Sequence, residues 1–457
     1  MRRIGIVHYR VGRTDGVSLE IEKRRLLLEN MGCEVVLIAG PVSDGADFVI
    51  PELEFDDPEI VSIKRNAFDH FDDRSLSDDE LSRSTTRIAA NIEQAFDRVA
   101  VEFPTDALLV HNVFSHGRHL PAASALTRHL EAFPQPVLAT HHDYFWERPE
   151  YQNPRNRWVA DYLDRYVPPP SPAVRHVSIN SLAARELLAR RQIESLVVPD
   201  VFDFDRPAWE IDEFNADFPL AVDVRPDDIV VLQATRIVRR KAIELAVDLV
   251  ASIDQMLPGL VGRRLYNGKE IREDSRVVLI LAGYAEDSAA GYLGQLETKI
   301  RDSGIEARFA SGCISAERVT GPEKRYSLWD AYAHADLVTF PSLQEGWGNQ
   351  FIEAVFARKP VALVEYPVFE ADIRGEGYHY VRMGSHSDVT YNVTHEGVDR
   401  PGTAHLPSSQ MEAVAEKTVD LLLRADTKQL LDENAKIGRR YHGLQVLERL
   451  FAETILK

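Results

Sequence analysis

Cysteine is almost missing: Cys33 and Cys313 are the only two in 457 residues. This excludes a disulfide framework and a cysteine-built metal cluster. Long hydrophobic runs are missing too, and none approaches the ~18 residues of a membrane span. The opening Met1-Arg2-Arg3 leads only into Ile4-Gly5-Ile6-Val7 before His8, Tyr9 and Arg10 end the apolar stretch. No small-residue cleavage site follows, so a signal peptide is not expected and the cytoplasm is the expected compartment. Positive charge is scarce, with 53 Lys and Arg against 72 Asp and Glu, a net charge of −19. That balance excludes nucleic acid and anionic membrane as bulk partners. Finally, no GxGxxG occurs in the first β–α loop, which weighs against a dinucleotide dehydrogenase.

What is present is a length that exceeds one core and a hydrophobic content of 44%, ordinary for a globular chain of two domains. Short apolar runs alternate with helical patterns, which predicts an α/β fold with parallel sheets. The first series of strands falls at 4–8, 35–38, 107–111, 137–140 and 176–179. A second falls at 229–234, 277–282, 307–310, 337–340 and 361–364. Residues 19–31 read as an amphipathic helix, and 410–423 and 430–456 are helical by period. The acidic segment 52–80 reads as an insertion outside the core, 199–226 as an interdomain linker, and 257–274 as a surface excursion. The expected organisation is a Rossmann-like domain at 1–205, a second at 206–440, and a C-terminal helix at 441–457 packing back on the first. Two such halves facing a central cleft present the C-terminal ends of their strands to a ligand.

The richest local signal is Pro341-Ser342-Leu343-Gln344-Glu345-Gly346-Trp347-Gly348-Asn349-Gln350-Phe351-Ile352-Glu353. It follows the strand 337–340 and opens a helix, an arrangement that offers backbone N–H groups to a phosphate. Glu345 and Glu353 flank the loop and can reach the hydroxyls of whatever carries that phosphate. Gly346 and Gly348 allow close approach of the backbone, although glycines before a helix are common. Arg236-Ile237-Val238-Arg239-Arg240-Lys241 places four cations in six residues directly after the strand 229–234. Arg236 and Lys241 can hold a diphosphate there and stabilise charge as it leaves.

Thr14-Asp15-Gly16-Val17-Ser18 forms the first β–α loop of the N-terminal half. It can face a phosphate or an acceptor, or be no more than a helix start capped by Ser18. Thr140-His141-His142-Asp143 ends another strand, where histidines can hydrogen-bond or move protons. Metal binding by these and by His111, His116 and His119 is disfavoured by their spacing. Asp203-Phe204-Asp205 is a DxD, but it lies outside any core strand and reads as structural.

Assembled, these residues resemble a retaining glycosyltransferase of family four, with the GT-B fold, over nearly the whole chain and most densely from 229 to 372. Glu345 and Glu353 match the paired-glutamate motif, with seven residues between them, and Arg236 and Lys241 match the donor-phosphate pair. Ala242 stands where Gly is common, Trp347 where Phe is usual, and Asn349-Gln350 replaces a more apolar pair. The resemblance implies that Glu353 binds the nucleotide ribose and Glu345 faces the donor sugar. Backbone groups from Gly346 to Gln350 would hold sugar and phosphate oxygens, with Gly16 also on the donor side. Gly312 to Ile314 would meet the base. His142 would lie by the sugar and acceptor, with His141 as the alternative and Asp15 and Asp143 beside them.

The implied reaction moves glucose or mannose from UDP-glucose or GDP-mannose, with retention, to a small acceptor such as a sugar, glycerate or a phosphorylated acid. No metal or other cofactor is expected beyond the nucleotide sugar. No stable membrane insertion is expected, and a homo-oligomer is left open. A lipid or polysaccharide acceptor is the runner-up, because Lys23, Arg24 and Arg25 could give the first helix a membrane-touching edge. A sugar-nucleotide epimerase, a glycoside phosphorylase and a non-catalytic sugar-nucleotide sensor are the other readings.

Overall fold

A computed structural model describes residues 1–13, 15–72, 75–285, 290–391 and 402–456. Thr14 of the first loop lies outside them. The chain forms two compact units, Met1–Val201 with Leu444–Lys457, and Phe202–Gly443.

The first unit is built on seven strands: β1 (Arg3–Val7), β2 (Glu34–Ala39), β3 (Phe48–Val49), β4 (Ala107–His111), β5 (Val137–His141), β6 (Val174–Ser178) and β7 (Ser195–Val197). They pair in parallel in the order β3-β2-β1-β4-β5-β6-β7. The second unit carries β8 (Ile229–Gln233), β9 (Val277–Leu281), β10 (Glu306–Phe309), β11 (Ile314–Ser315), β12 (Tyr326–Ser327), β13 (Leu337–Phe340), β14 (Val361–Glu365) and β15 (Val381–Ser385). Its main sheet runs β10-β9-β8-β13-β14-β15, again all parallel, and β11 pairs with β12 apart from it. Helices cover both faces of a parallel sheet, so its strands bury every side chain and read as unbroken apolar runs. Val277-Val278-Leu279-Ile280-Leu281 is such a run, buried throughout. In both sheets the strand order reverses once, at β1/β4 and at β8/β13. Ligands of doubly wound folds collect outside the carboxyl ends of the strands at that reversal.

Several segments differ from their sequence reading. The segment read as an insertion, 52–80, supplies core residues: Leu53, Ile60, Ile63, Ala67 and Phe68 are buried in the same cluster as Val110 and Ile92. The helix Pro58–Ala67 turns Glu59 outward and Ile60 and Ile63 inward. Residues 202–209 are packed against the second unit, with Phe202, Phe204 and Trp209 against Phe356 and Trp209 stacked 4.1 Å from Trp329. The 257–274 excursion is anchored by buried Leu265 and Ile271 and by Lys269, whose Nζ reaches Asp336 at 2.6 Å. The C-terminal helix Gln445–Thr454 buries Leu447, Leu450 and Phe451 in one cluster with Ile4, Ile6 and Leu28 of the first unit.

The first helix, Gly16–Asn30, has no free basic edge. Arg24 is fully buried, Lys23 bonds Glu20 and the Val201 carbonyl, and Arg25 pairs with Glu22 and Glu29. The basis for a membrane-touching helix is therefore gone. Among the described residues no helix is long and apolar enough to cross a membrane.

Candidate active site

In the second unit the loops after β8 and β13 meet at the strand-order reversal. The Leu343 N–H donates to the Arg240 carbonyl at 2.9 Å, so the two loops are tied by backbone. The 3-10 turn Arg239–Lys241 then sends its cations in different directions. Arg239 donates to the Gly402 carbonyl at 3.0 Å and to Gln295 at 2.8 Å. Arg240 donates to Glu345 Oε2 and to the Gln344 carbonyl, each at 2.8 Å, and Lys241 Nζ bonds Glu345 Oε1. Glu345 is thus held on both oxygens by cations, with side-chain exposures of 10% for Glu345 and 9% for Lys241. Burial opposes the Glu345 charge, but Lys241 and Arg240 outweigh it and hold the carboxyl below its ordinary range. Burial lowers the Lys241 pKa, offset in part by Glu345 and pushed further by Arg240 and Arg236.

Arg236 is exposed beside this pair. Arg240 is the residue that sequence reasoning missed. Nothing linear distinguishes it from Arg239, and the turn alone decides which one faces Glu345. Ala242, at the position where Gly is common, takes a left-handed conformation (φ 44°) as the turn closes.

The loop after Glu345 delivers its backbone and withdraws its side chains. Trp347 is buried with its ring 5.3 Å from His442, and its carbonyl accepts from the Tyr366 hydroxyl. Gly348 has φ 140° and caps the helix Asn349–Phe356. A Cβ there would lie 2.0 Å from Tyr366 Oη, so only glycine fits. Gly346 and Asn349 are exposed, whereas Gln350 is buried and donates to the Thr339 carbonyl at 3.2 Å. One helical turn on, Glu353 Oε2 accepts from the Tyr332 hydroxyl at 3.0 Å. A helix start with Gly346 and Asn349 exposed, beside Arg236, Arg240 and Lys241, makes a place for phosphate oxygens. Ile314 sits apart on β11, half-buried and paired with Tyr326.

In the first unit, the loops after β1, β4 and β5 bring together His8, His111, His142 and Asp143. His142 Nδ1 lies 3.5 Å from Asp200 Oδ1, and its Nε2 lies 3.3 Å from His111 Nδ1. Its backbone N–H donates to Asn112 Oδ1 at 2.9 Å, which fixes the strand end. Burial opposes the Asp200 charge, yet its bond with His142 and the nearby Lys23 and Arg24 keep it below the carboxylate range. Asp143 is depressed against its burial by His116, at 3.6 Å, and by Arg148. Sequence reasoning placed Pro199-Asp200-Val201 at the opening of the linker and not in the site, since 57 residues lie between Asp200 and His142.

Two expectations are corrected in this unit. His141 has no open face: it is 1% exposed, stacked on His176 and bonded to it at 2.9 Å. Asp15, not Ser18, caps the first helix. Its Oδ1 accepts from Val17 and Ser18 N–H at 3.1 Å, and its Oδ2 accepts from the Ser18 hydroxyl, which commits the carboxylate to structure. Gly16 begins that helix with open space where a side chain would be. Asp203 and Asp205 form a local turn, and Asp205 pairs with Arg439. Among the described residues no group of three or more His, Cys, Asp or Glu is placed to hold a metal ion.

Two parallel doubly wound units, with a cation-clamped glutamate at the strand-order reversal of the second, have the GT-B architecture, and glycosyltransferases are among the solved structures of similar fold. A glycosyltransferase from Rickettsia africae aligns over 100% of this chain and 99% of its own with TM-score 0.61 at 11% identity. A trehalose 6-phosphate synthase from Burkholderia multivorans aligns over 100% and 96% with TM-score 0.57 at 14% identity. No family model matches the chain. Mannosylglucosylglycerate synthase of Petrotoga mobilis is 39% identical over 387 residues, 84% of this chain and 87% of that one. The enzyme of that name from Thermotoga maritima is 34% identical over 455 residues, 99% of this chain and 100% of that one. The chain belongs to the mannosylglucosylglycerate synthase family.

Proposed function

We propose that this glycosyltransferase moves a mannosyl group from a nucleotide sugar, GDP-mannose in the first instance, to glucosylglycerate, with retention at the anomeric carbon. The observation that carries this reading is 34% identity sustained over 99% of the chain to a synthase whose product name spells out the linkage partners. The second unit supplies the donor side. Arg236, Arg240 and Lys241 take the diphosphate and stabilise it as the leaving group, which an oxocarbenium-like transition state needs more than a strong base. Glu345 holds two of those cations in place and addresses the sugar hydroxyls, and Glu353 addresses the ribose. In the first unit His142, oriented by Asp200, hydrogen-bonds the incoming hydroxyl of the acceptor.

No divalent ion is required in this scheme, because three cationic side chains carry the phosphate charge. The test is a donor-by-acceptor screen in chelator: GDP-mannose, UDP-mannose and UDP-glucose against glucosylglycerate, glycerate and glucose, with product mass and anomeric NMR. The expected result is one hexose added to glucosylglycerate with the donor's anomeric configuration. Inversion, product from donor alone, or activity only after a divalent ion is restored would each overturn the corresponding part. Glu353→Ala is expected to weaken donor affinity by about tenfold through a lost charge-assisted hydrogen bond. Unchanged affinity in calorimetry would remove the ribose role.

A further inference from the structure

The segment 52–80, which supplies core residues, also brings a cation to the strand-order reversal of the first unit. Lys64 is half-buried on the helix Pro58–Ala67. Arg118 is half-buried in the loop after β4. Its guanidinium lies 4.4 Å over the ring of Phe55, which Arg10 also covers at 3.8 Å. The neighbouring arginines have their charges answered: Arg10 by Glu54 and Asp56, and Arg148 by Asp143, with Glu150 at 3.9 Å. Arg118 and Lys64 have no carboxylate at ion-pair distance among the described residues, and the side chain that bonds Arg118 is the hydroxyl of Tyr151.

Two half-buried cations close enough to repel are costly, and Asp56 and Glu150 offset only part of that for Lys64. Burial, and then Arg118 itself, lower the pKa of Lys64. The Tyr9 hydroxyl, at the end of β1, feels the Arg118 charge and is buried without a hydrogen-bond partner. The arrangement is also built to position. A Cβ on Gly117 would lie 2.8 Å from the Tyr151 ring and 3.0 Å from Phe68, so the loop lies flat on that wall and Arg118 is fixed by it. His116, on the same loop, reaches Asp143 at 3.6 Å, one residue from His142. In a chain of net charge −19, two cations with no ion-pair partner among the described residues, beside the proposed acceptor residues, offer a place for an anion.

We propose that Arg118 and Lys64 receive the carboxylate of the acceptor, and that they are what makes this enzyme choose an acid over its neutral analogue. The inference rests on the reading of the first unit as the acceptor side. Glucosylglycerate and glucosylglycerol differ in that carboxylate alone, so they serve as the paired probes. In calorimetry the wild type is expected to bind the acid about ten- to a hundredfold tighter than the neutral compound, the worth of one or two charge-assisted hydrogen bonds. Arg118→Gln and Lys64→Gln should each raise KM for the acid by about tenfold with kcat little changed. KM for glucosylglycerol should stay as it was, and Arg118→Lys should recover part of the preference. Lys64 sits on a helix surface, so its variant folds even if an Arg118 variant does not. Equal wild-type affinity for the two probes overturns the inference whether or not transfer occurs, and so does an acid preference that survives both glutamine variants. Failure of the wild type to transfer a hexose to either probe is the separate signature that the functional reading itself has failed.

Discussion

Glu345→Gln is expected to lower transfer by about a thousandfold, and Lys241→Met by a similar factor, the scale seen when a preorganised charge is taken from a leaving-group site. The two effects should not add. Glu345 receives Lys241 on one oxygen and Arg240 on the other. Much of its role is therefore to hold two cations where a diphosphate leaves, and a double variant should be little worse than either single one. Steady-state kinetics on the three variants measures this directly. Near-normal turnover in either single variant would remove the pair from the mechanism. Full additivity would show that Glu345 and Lys241 act on separate things. A stability change should accompany the loss: neutral Gln leaves a buried ammonium without its anion, which costs about 3–5 kcal/mol when one partner of a buried pair is removed. Lys241→Met takes away the buried charge and should be the milder of the two in a melting curve.

The second large effect is acid unfolding of the first unit ahead of the second. His8, His119 and His176 are each buried, and burial above all lowers each of them to about 4. Burial takes His111 and His141 well below 6.5 as well. All five lie in the first unit. A histidine depressed in the folded state contributes stability that is fully present above its unfolded value near 6.5 and is lost as pH falls toward the folded value. With folded values near 4, the three contribute about 2 kcal/mol each of lost stability by pH 5. Glu147, raised by burial to about 7, gains stability over the same range and offsets part of this, leaving about 4 kcal/mol, a large share of the stability of an ordinary domain. Asp143 and Asp200, both depressed, add to the loss at still lower pH. Hydrogen exchange read by peptide should therefore show amides of β1, β4 and β5 losing protection between pH 6 and 4.5 while β8, β9 and β13 keep theirs. Equal protection of both sets at pH 4.5 would sink the prediction. The histidines already have defined work at neutral pH: His119 accepts the Ala122 N–H through Nδ1, so its Nε2 carries the proton donated to the Glu52 carbonyl.

Much of this architecture was legible in the residue order because parallel strands covered on both faces must be apolar throughout, and such runs stand out. What escaped was short, or mixed in composition. β3 and β7 are edge strands of two and three residues, too brief to show a period. The 52–80 segment hid its core because acids punctuate it, and only the helix turn separates Ile60 and Ile63 from Glu59 and Lys64 beside them. His141 and His142 are adjacent in sequence and look alike. Alternation of side chains along β5 sends one into the sheet packing and leaves the other at the strand end.

The sequence by itself determined the two-fold α/β plan, the Gly346–Gly348 loop opening a helix and the pairing of basic and acidic loops, because each depends on residues close together in the chain. Only the tertiary structure decided that Arg240 rather than Arg239 joins Lys241 on Glu345, that Asp200 stands behind His142, and that Lys64 and Arg118 have no carboxylate at ion-pair distance among the described residues. Those are facts about which charges meet, and a charge's partner is set by distance in space, which strand order and loop closure fix and the linear chain does not record.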